Sequence, residues 1–273
     1  MKKLVLTGAA GALGGRLRGP LSKMCDTLIS TDLAQDVGPL FEGETYVKAD
    51  MGVMAEVDPL LQGADMVVHF GAIADEAPFD DILHSNILGA YNVWEAAYQH
   101  GVRRVVYASS IHAVGMHKKT DFIGTDAPLR PDTFYGLAKC FGENLGSLYW
   151  DKRGVESVCL RILSCAPVGN ARALGSWLSY EDLVHLVERS ITTPITGHVI
   201  VYGVSNNDRA PVDNAKASFL GYRPKDNAED FAADILAKAD PADPQNPGQM
   251  CHGGPFAVVE LGKSGVSLIK ASK

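Results

Sequence analysis

Tyr135 and Lys139 stand four residues apart in the run Pro131-Asp132-Thr133-Phe134-Tyr135-Gly136-Leu137-Ala138-Lys139. On a helix that spacing puts a phenol and an ammonium on one face. A fixed ammonium favours the phenolate, so the tyrosine can take a proton nearer neutral pH than a free tyrosine can. Ser109 and Ser110 follow the apolar run Val105-Val106-Tyr107 and offer a hydroxyl to the same reacting oxygen. Together these groups suit proton transfer from an alcohol. They carry no electrons, so alcohol–carbonyl redox needs a hydride carrier beside them.

A place for that carrier is written at the other end of the chain. Thr7-Gly8-Ala9-Ala10-Gly11-Ala12-Leu13-Gly14 follows the strand-like Leu4-Val5-Leu6 and opens a helical pattern. Glycine is required where the backbone turns sharply, nears a pyrophosphate or meets the next helix. The helix N-terminus then offers free N–H groups to phosphate. Asp32 ends the second strand about 20 residues on, where a carboxylate accepts from the adenosine ribose diol and repels a 2′-phosphate. The expected cofactor is therefore NAD. Gly8, Ala10, Gly11, Ala12, Leu13, Gly14 and Asp32 are its expected contacts, with Asp50 and Met51 after the third strand. Gly71 and Ala72 after the fourth strand, and Tyr135 and Lys139 themselves, complete the set. Asp50 has an equally plain alternative as a strand-end cap.

Short apolar runs alternate with helical patterns. Strands are expected at Leu4–Leu6, Thr27–Asp32, Thr45–Val47, Met66–Phe70, Val105–Tyr107, Ser157–Leu160 and His198–Tyr202. Helices are expected over Leu13–Met24, Ile82–Tyr98, Phe134–Trp150, Ser179–Ser190 and Asn227–Ala237. This alternation predicts an α/β fold: a Rossmann-like, doubly wound parallel sheet with ligands at the carboxyl ends of its strands. One domain over 1–273 is expected, with a dinucleotide-binding core over 1–165 and a small substrate-binding part over 166–273. Trp94, Trp150 and Trp177 read as core, and His69 and His84 as packing or helix-surface residues.

The bulk numbers narrow the function. A net charge of −7 argues against a nucleic-acid surface, and an anionic substrate would need a local basic anchor. Five cysteines lack the paired spacing of a zinc site or a disulfide framework, so reduced thiols and a cytoplasmic setting are expected, with no metal. No apolar run approaches membrane-spanning length and no signal peptide is read.

The ordered set Gly8-x-x-Gly11-x-x-Gly14, Asp32, Asn86, Ser110 and Tyr135-x-x-x-Lys139 resembles the extended short-chain dehydrogenase/reductase superfamily. A narrower resemblance, to uronate dehydrogenases, spans nearly the whole chain. It rests on Ala108-Ser109-Ser110-x-His112 and Tyr135-Gly136-x-x-Lys139-Cys140-Phe141-Gly142-Glu143-Asn144-Leu145. It continues through Arg161-Ile162-x-Ser164-Cys165, Arg172, Ser176-Trp177, Phe219 to Glu229 and Gly253-Gly254-x-Phe256.

The resemblance implies NAD-linked oxidation of galacturonate or glucuronate at C1, giving an aldarolactone. It makes Ser110, Tyr135 and Lys139 catalytic and Arg172 the grip on the sugar carboxylate, a role suited to a bidentate guanidinium. Ser164 and His112 then contact sugar hydroxyls, and Phe256 closes the pocket. It also implies a homo-oligomer built on the Ile82–Tyr98 and Phe134–Trp150 helices. Asn86 itself reads as a structural bridge holding backbone in the adjacent helix rather than as a chemical group. Ile111 and Ala74 depart from the pattern, which has Asn and Ser there, so both are expected on the substrate wall without its hydrogen bonds. Two other classes stay open: a sugar epimerase holding NAD tightly, and a non-catalytic dinucleotide sensor.

Overall fold

Runs of Leu and Val that can be buried on both faces form the strands of a parallel sheet. The computed structural model describes residues 1–267, so the last residues of the 166–273 part lie outside the described ones. Seven strands form: β1 (Lys3–Thr7), β2 (Thr27–Asp32), β3 (Glu44–Lys48), β4 (Met66–His69), β5 (Arg104–Ser110), β6 (Glu156–Ile162) and β7 (His198–Gly203). Their order is β3-β2-β1-β4-β5-β6-β7, and every pairing is parallel. The order reverses between β1 and β4, which opens a crevice at their carboxyl ends.

Helices α1 (Gly14–Ser22) and, after the short α6 (Ala173–Ser176), α7 (Tyr180–Thr192) cover one face. Leu17 and Leu21 meet Leu183, Leu186, Val187 and Ile191 there, over Leu4, Leu6 and Val158. On the other face lie α2 (Met54–Leu61), α4 (Gly89–Gln99) and α5 (Phe134–Arg153), packed through Val57, Leu61, Val93, Trp94, Leu145 and Tyr149. The boundary at 165 does not separate two bodies. Strand β7 belongs to the same sheet, and α7 completes the core of the first half.

Three local expectations change. The Ile82–Tyr98 helix is preceded by α3 (Phe79–Ile82) and continues through a π-helical turn, Leu83–Leu88, into α4. Asn86 sits in that turn and bridges Ile73 in both directions, accepting from its N–H (2.9 Å) and donating to its carbonyl (3.0 Å). The expected helix over Asn227–Ala237 is a 3₁₀ turn, Ala228–Phe231, followed by a short helix, Ala232–Leu236. Trp94 is fully buried, but Trp150 is 37% exposed, and Trp177 is half-buried edge-on to Phe231. Among the described residues no helix is long and apolar enough to cross a membrane.

Candidate active site

Gly8 has φ +74°, and a Cβ on it would lie 2.6 Å from the carbonyl carbon of Phe70. The chain between β1 and α1 can therefore press against the end of β4 only with glycine there. Gly71 is held by its N–H to the Thr7 hydroxyl (2.9 Å), which also bonds His69 Nδ1 (2.7 Å). His69 is buried, stacked on Tyr107, and its pKa falls to about 3 by burial, so it packs as a neutral ring.

A cleft of about 540 Å³ opens above this turn. Gly8, Ala10, Gly11, Ala12, Leu13 and Gly14 form one side, with Asp32, Asp50 and Met51 beside them. Gly71, Ala72 and Ala74 line its middle, and Ser110, His112, Tyr135 and Lys139 its far end. Asp32 accepts from the N–H groups of Ala10 (3.0 Å) and Ala34 (3.2 Å), which fixes its carboxylate at the rim. Asp50 binds the Gly52 N–H (2.8 Å) and His84 Nε2 (2.9 Å), so it both caps a turn and lines the cleft. The Thr31 hydroxyl, in the same wall, is buried without a partner among the described residues. Small residues, a free helix N-terminus, a rim carboxylate and an unpaired hydroxyl suit a dinucleotide.

At the far end, Thr133 caps α5 by accepting from the Gly136 N–H (2.9 Å) and so fixes where the helix begins. One turn then separates Tyr135 from Lys139, whose Nζ lies 5.3 Å from the Tyr135 ring centre. Burial pushes the phenol up to about 12, against the pull of the Ser110 hydroxyl. Burial also pushes the Lys139 amine down to about 7. In the free protein burial thus works against the expected help of a fixed ammonium to the phenolate. Both groups are dry, and neither charge is solvated in the free protein. Ser109 does not join them; its hydroxyl donates to Glu143 (2.6 Å), which is held by Arg161.

Ile111 corrects the sequence expectation. It is 1% exposed and packs with Val114, Leu163, Tyr202 and Val204, so it belongs to the core under the cleft and not to its wall. The 3₁₀ turn Ile111–Val114 after β5 turns this side chain inward. His112, next in sequence, faces the cleft. Its Nδ1 bonds Asp132 (2.7 Å), its ring stands edge-on to Tyr135 (5.6 Å) and Phe256 covers it (4.2 Å between centres). Ser164 lies just beyond β6, paired through its backbone with Trp177.

Arg172 lies outside the cleft lining but close to this group. Its Nη2 donates to the His252 carbonyl (2.8 Å), and a Cβ on Gly254 would come 2.5 Å from its Nε. That Nε is buried with no hydrogen-bond partner among the described residues. Burial lowers the guanidinium pKa and Asp132 raises it. Sequence reasoning missed Asp132 as the partner of His112, although it stands just ahead of the helix cap. It also missed Glu76, which binds the Tyr135 N–H (2.9 Å) from a loop with no motif around it.

A family model described as the NAD dependent epimerase/dehydratase family matches residues 4–193. The chain belongs to the NAD dependent epimerase/dehydratase family. Within this family it is similar to the uronate dehydrogenase of Pseudomonas putida, 43% identical over 94% of this chain and 96% of that protein. Among solved structures it is similar to uronate dehydrogenase from Agrobacterium tumefaciens, a mutant complexed with NAD. There the identity is 42%, the TM-score 0.90, and 95% of this chain and 98% of that one are covered. The glucuronic acid dehydrogenase of Chromohalobacter salexigens superposes with a TM-score of 0.91 at 38% identity, covering 95% and 97%. Among the described residues no cluster of side chains could hold a metal ion.

Proposed function

We propose that this chain is an NAD-dependent uronate dehydrogenase that oxidises C1 of galacturonate or glucuronate to the aldarolactone. The observation that carries the reading is the buried Arg172 Nε, unpartnered among the described residues, beside a cleft that ends in Ser110, Tyr135 and Lys139. A carboxylate is the acceptor such a donor lacks. The family and the full-length similarity to uronate dehydrogenases support the same reading.

NAD, when bound, supplies the hydride acceptor. The chain's own groups do the rest. In its phenolate form Tyr135 Oη takes the proton of the C1 hydroxyl, and Ser110 Oγ donates to the same oxygen. C1 loses a hydride and its hydroxyl a proton, which leaves the lactone carbonyl. Lys139, with its pKa near 7, holds or releases a proton beside the phenol at neutral pH. His112 is fixed by Asp132, so its Nε2 is free to meet a sugar hydroxyl. Phe256 covers that ring and limits the depth of the pocket. Ala74 leaves its part of the wall apolar.

A cytoplasmic homo-oligomer is part of this reading. Five free cysteines suit a reducing compartment. The half-exposed Leu88, Tyr91 and Tyr98 and, on α5, Leu137 and Leu148 offer apolar surface to a second copy. The test is NADH formation with galacturonate, glucuronate and galactose. Turnover of both uronates far above galactose is expected. Equal rates on galactose, or retained NAD with no NADH released, would sink the assignment.

A further inference from the structure

Two adjacent carboxylates after β4 are engaged by backbone N–H groups from distant parts of the chain. Glu76 is 2% exposed. Its Oε2 accepts from the Tyr135 N–H (2.9 Å) and its Oε1 from the Gly262 N–H (2.8 Å). Asp75 accepts from the Ser264 hydroxyl and from the N–H groups of Gly265 (2.9 Å) and Val266 (3.1 Å). Gly265 in turn lies against Phe256; a Cβ on it would stand 2.7 Å from the ring. Phe256 covers His112, and His112 stands against Tyr135. Residues 256–266 thus form a band running from the substrate end of the cleft to the loop that carries Ala74.

Tyr135 is the second residue of α5, and its N–H has no partner within the helix. Any acceptor would satisfy it. A carboxylate that also holds the C-terminal band does more, because it makes one rigid link between the band and the helix turn that aims the phenol. Charge-assisted bonds of this kind are the strong ones, and a buried carboxylate cannot lose one cheaply.

We propose that Glu76 is a positioning residue for Tyr135, tying the orientation of the catalytic phenol to the seating of the C-terminal band over the substrate, with Asp75 fastening the band alone. The inference rests on the reading of Tyr135 as the proton acceptor. It assigns separate kinetic signatures to neighbouring carboxylates. Loss of Asp75 loosens the cover, so substrate is held less well while the phenol stays aimed. Loss of Glu76 frees the start of α5, and a misplacement of about 1 Å there can cost up to about a hundredfold in the chemical step.

Steady-state kinetics with NAD and galacturonate, paired with amide hydrogen exchange on the free protein, test this. Asp75→Ala should speed exchange over residues 263–267 and at the Glu76 N–H, from which Asp75 also accepts (2.8 Å), and leave the peptide containing Tyr135 unchanged. It should raise KM for galacturonate several-fold with kcat within about twofold of wild type. In Glu76→Gln one of the two N–H groups must face an NH₂ group, so the link fails. Exchange should then rise in the peptide containing Tyr135 and in the one containing Gly262, and kcat should fall by about tenfold or more. Glu76→Asp, one methylene too short to span both N–H groups, should repeat this result and serves if the glutamine variant does not fold. The proposal is overturned if either Glu76 variant keeps wild-type kcat, or if the Asp75 and Glu76 variants share one KM–kcat pattern. The exchange readout needs no turnover. A wild-type chain inactive on uronates would therefore refute the functional reading while leaving the link to be decided by exchange at Tyr135 alone.

Discussion

Replacing Arg172 by lysine separates recognition of the substrate's acid group from everything else in the site. The guanidinium spends Nη2 on the His252 carbonyl at 2.8 Å and keeps Nε buried, with no partner among the described residues. Lysine retains the charge but has one nitrogen, which cannot hold that carbonyl and grip a carboxylate at two points. At least one charge-assisted bond to substrate is lost, worth about 1.5–3 kcal/mol. At 1.4 kcal/mol per tenfold, kcat/KM for galacturonate should fall roughly 10- to 150-fold. Folding should suffer little, because the change also removes a buried donor that had no acceptor in the free protein. The assay is NADH formation with galacturonate and with galactose, which has the same ring and no carboxylate, alongside thermal melts. A large loss on galacturonate with galactose turnover and melting temperature near wild type is the expected pattern. An equal proportional loss on both sugars, or none on galacturonate, would refute the assignment of Arg172 as the anchor.

Asp32→Ala removes the rim carboxylate and releases the Ala10 N–H, so the ratio of kcat/KM for NAD over NADP should drop by about tenfold or more; an unchanged ratio on cofactor titration would remove Asp32 from cofactor choice. Burial lowers the Lys139 pKa to about 7 in the folded chain, while the unfolded value stays near 10.4. Below pH 7 the folded state carries the full cost of a buried charge, and that cost is relieved as pH rises from about 7 to 10. Lys139→Met should therefore be more stable than wild type at pH 6, with the difference shrinking toward pH 10 in denaturant titrations; a constant difference would contradict this. Asp132→Asn leaves the His112 ring without its charged acceptor, so KM for galacturonate should rise roughly tenfold with a smaller change in kcat, read from initial rates.

The sheet and the dinucleotide turn were legible because their causes are local. Buried parallel strands read as unbroken apolar runs, and Gly8 must be glycine wherever its backbone meets β4. Tyr135 and Lys139 were legible because a helix converts spacing into a shared face. Ile111 was misplaced because a single 3₁₀ turn decides which of two neighbours, Ile111 or His112, enters the cleft. Glu76 and Asp132 escaped notice because their partners lie far along the chain or around a turn, and no spacing rule reaches them. The pKa shifts of Tyr135 and Lys139 depend on burial, which composition does not reveal.

The placement of α7 has a consequence for how the polypeptide is made. Its Leu183, Leu186 and Val187 cover Leu4, Leu6 and Val158. A ribosome extruding the chain from its N-terminus releases the glycine turn and Tyr135 well before α7 is synthesised. Until then the part of that face which α1 does not cover stays apolar and open, a natural target for a holding chaperone. A stop codon placed near residue 165 should accordingly yield an aggregating fragment rather than a small cofactor-binding protein.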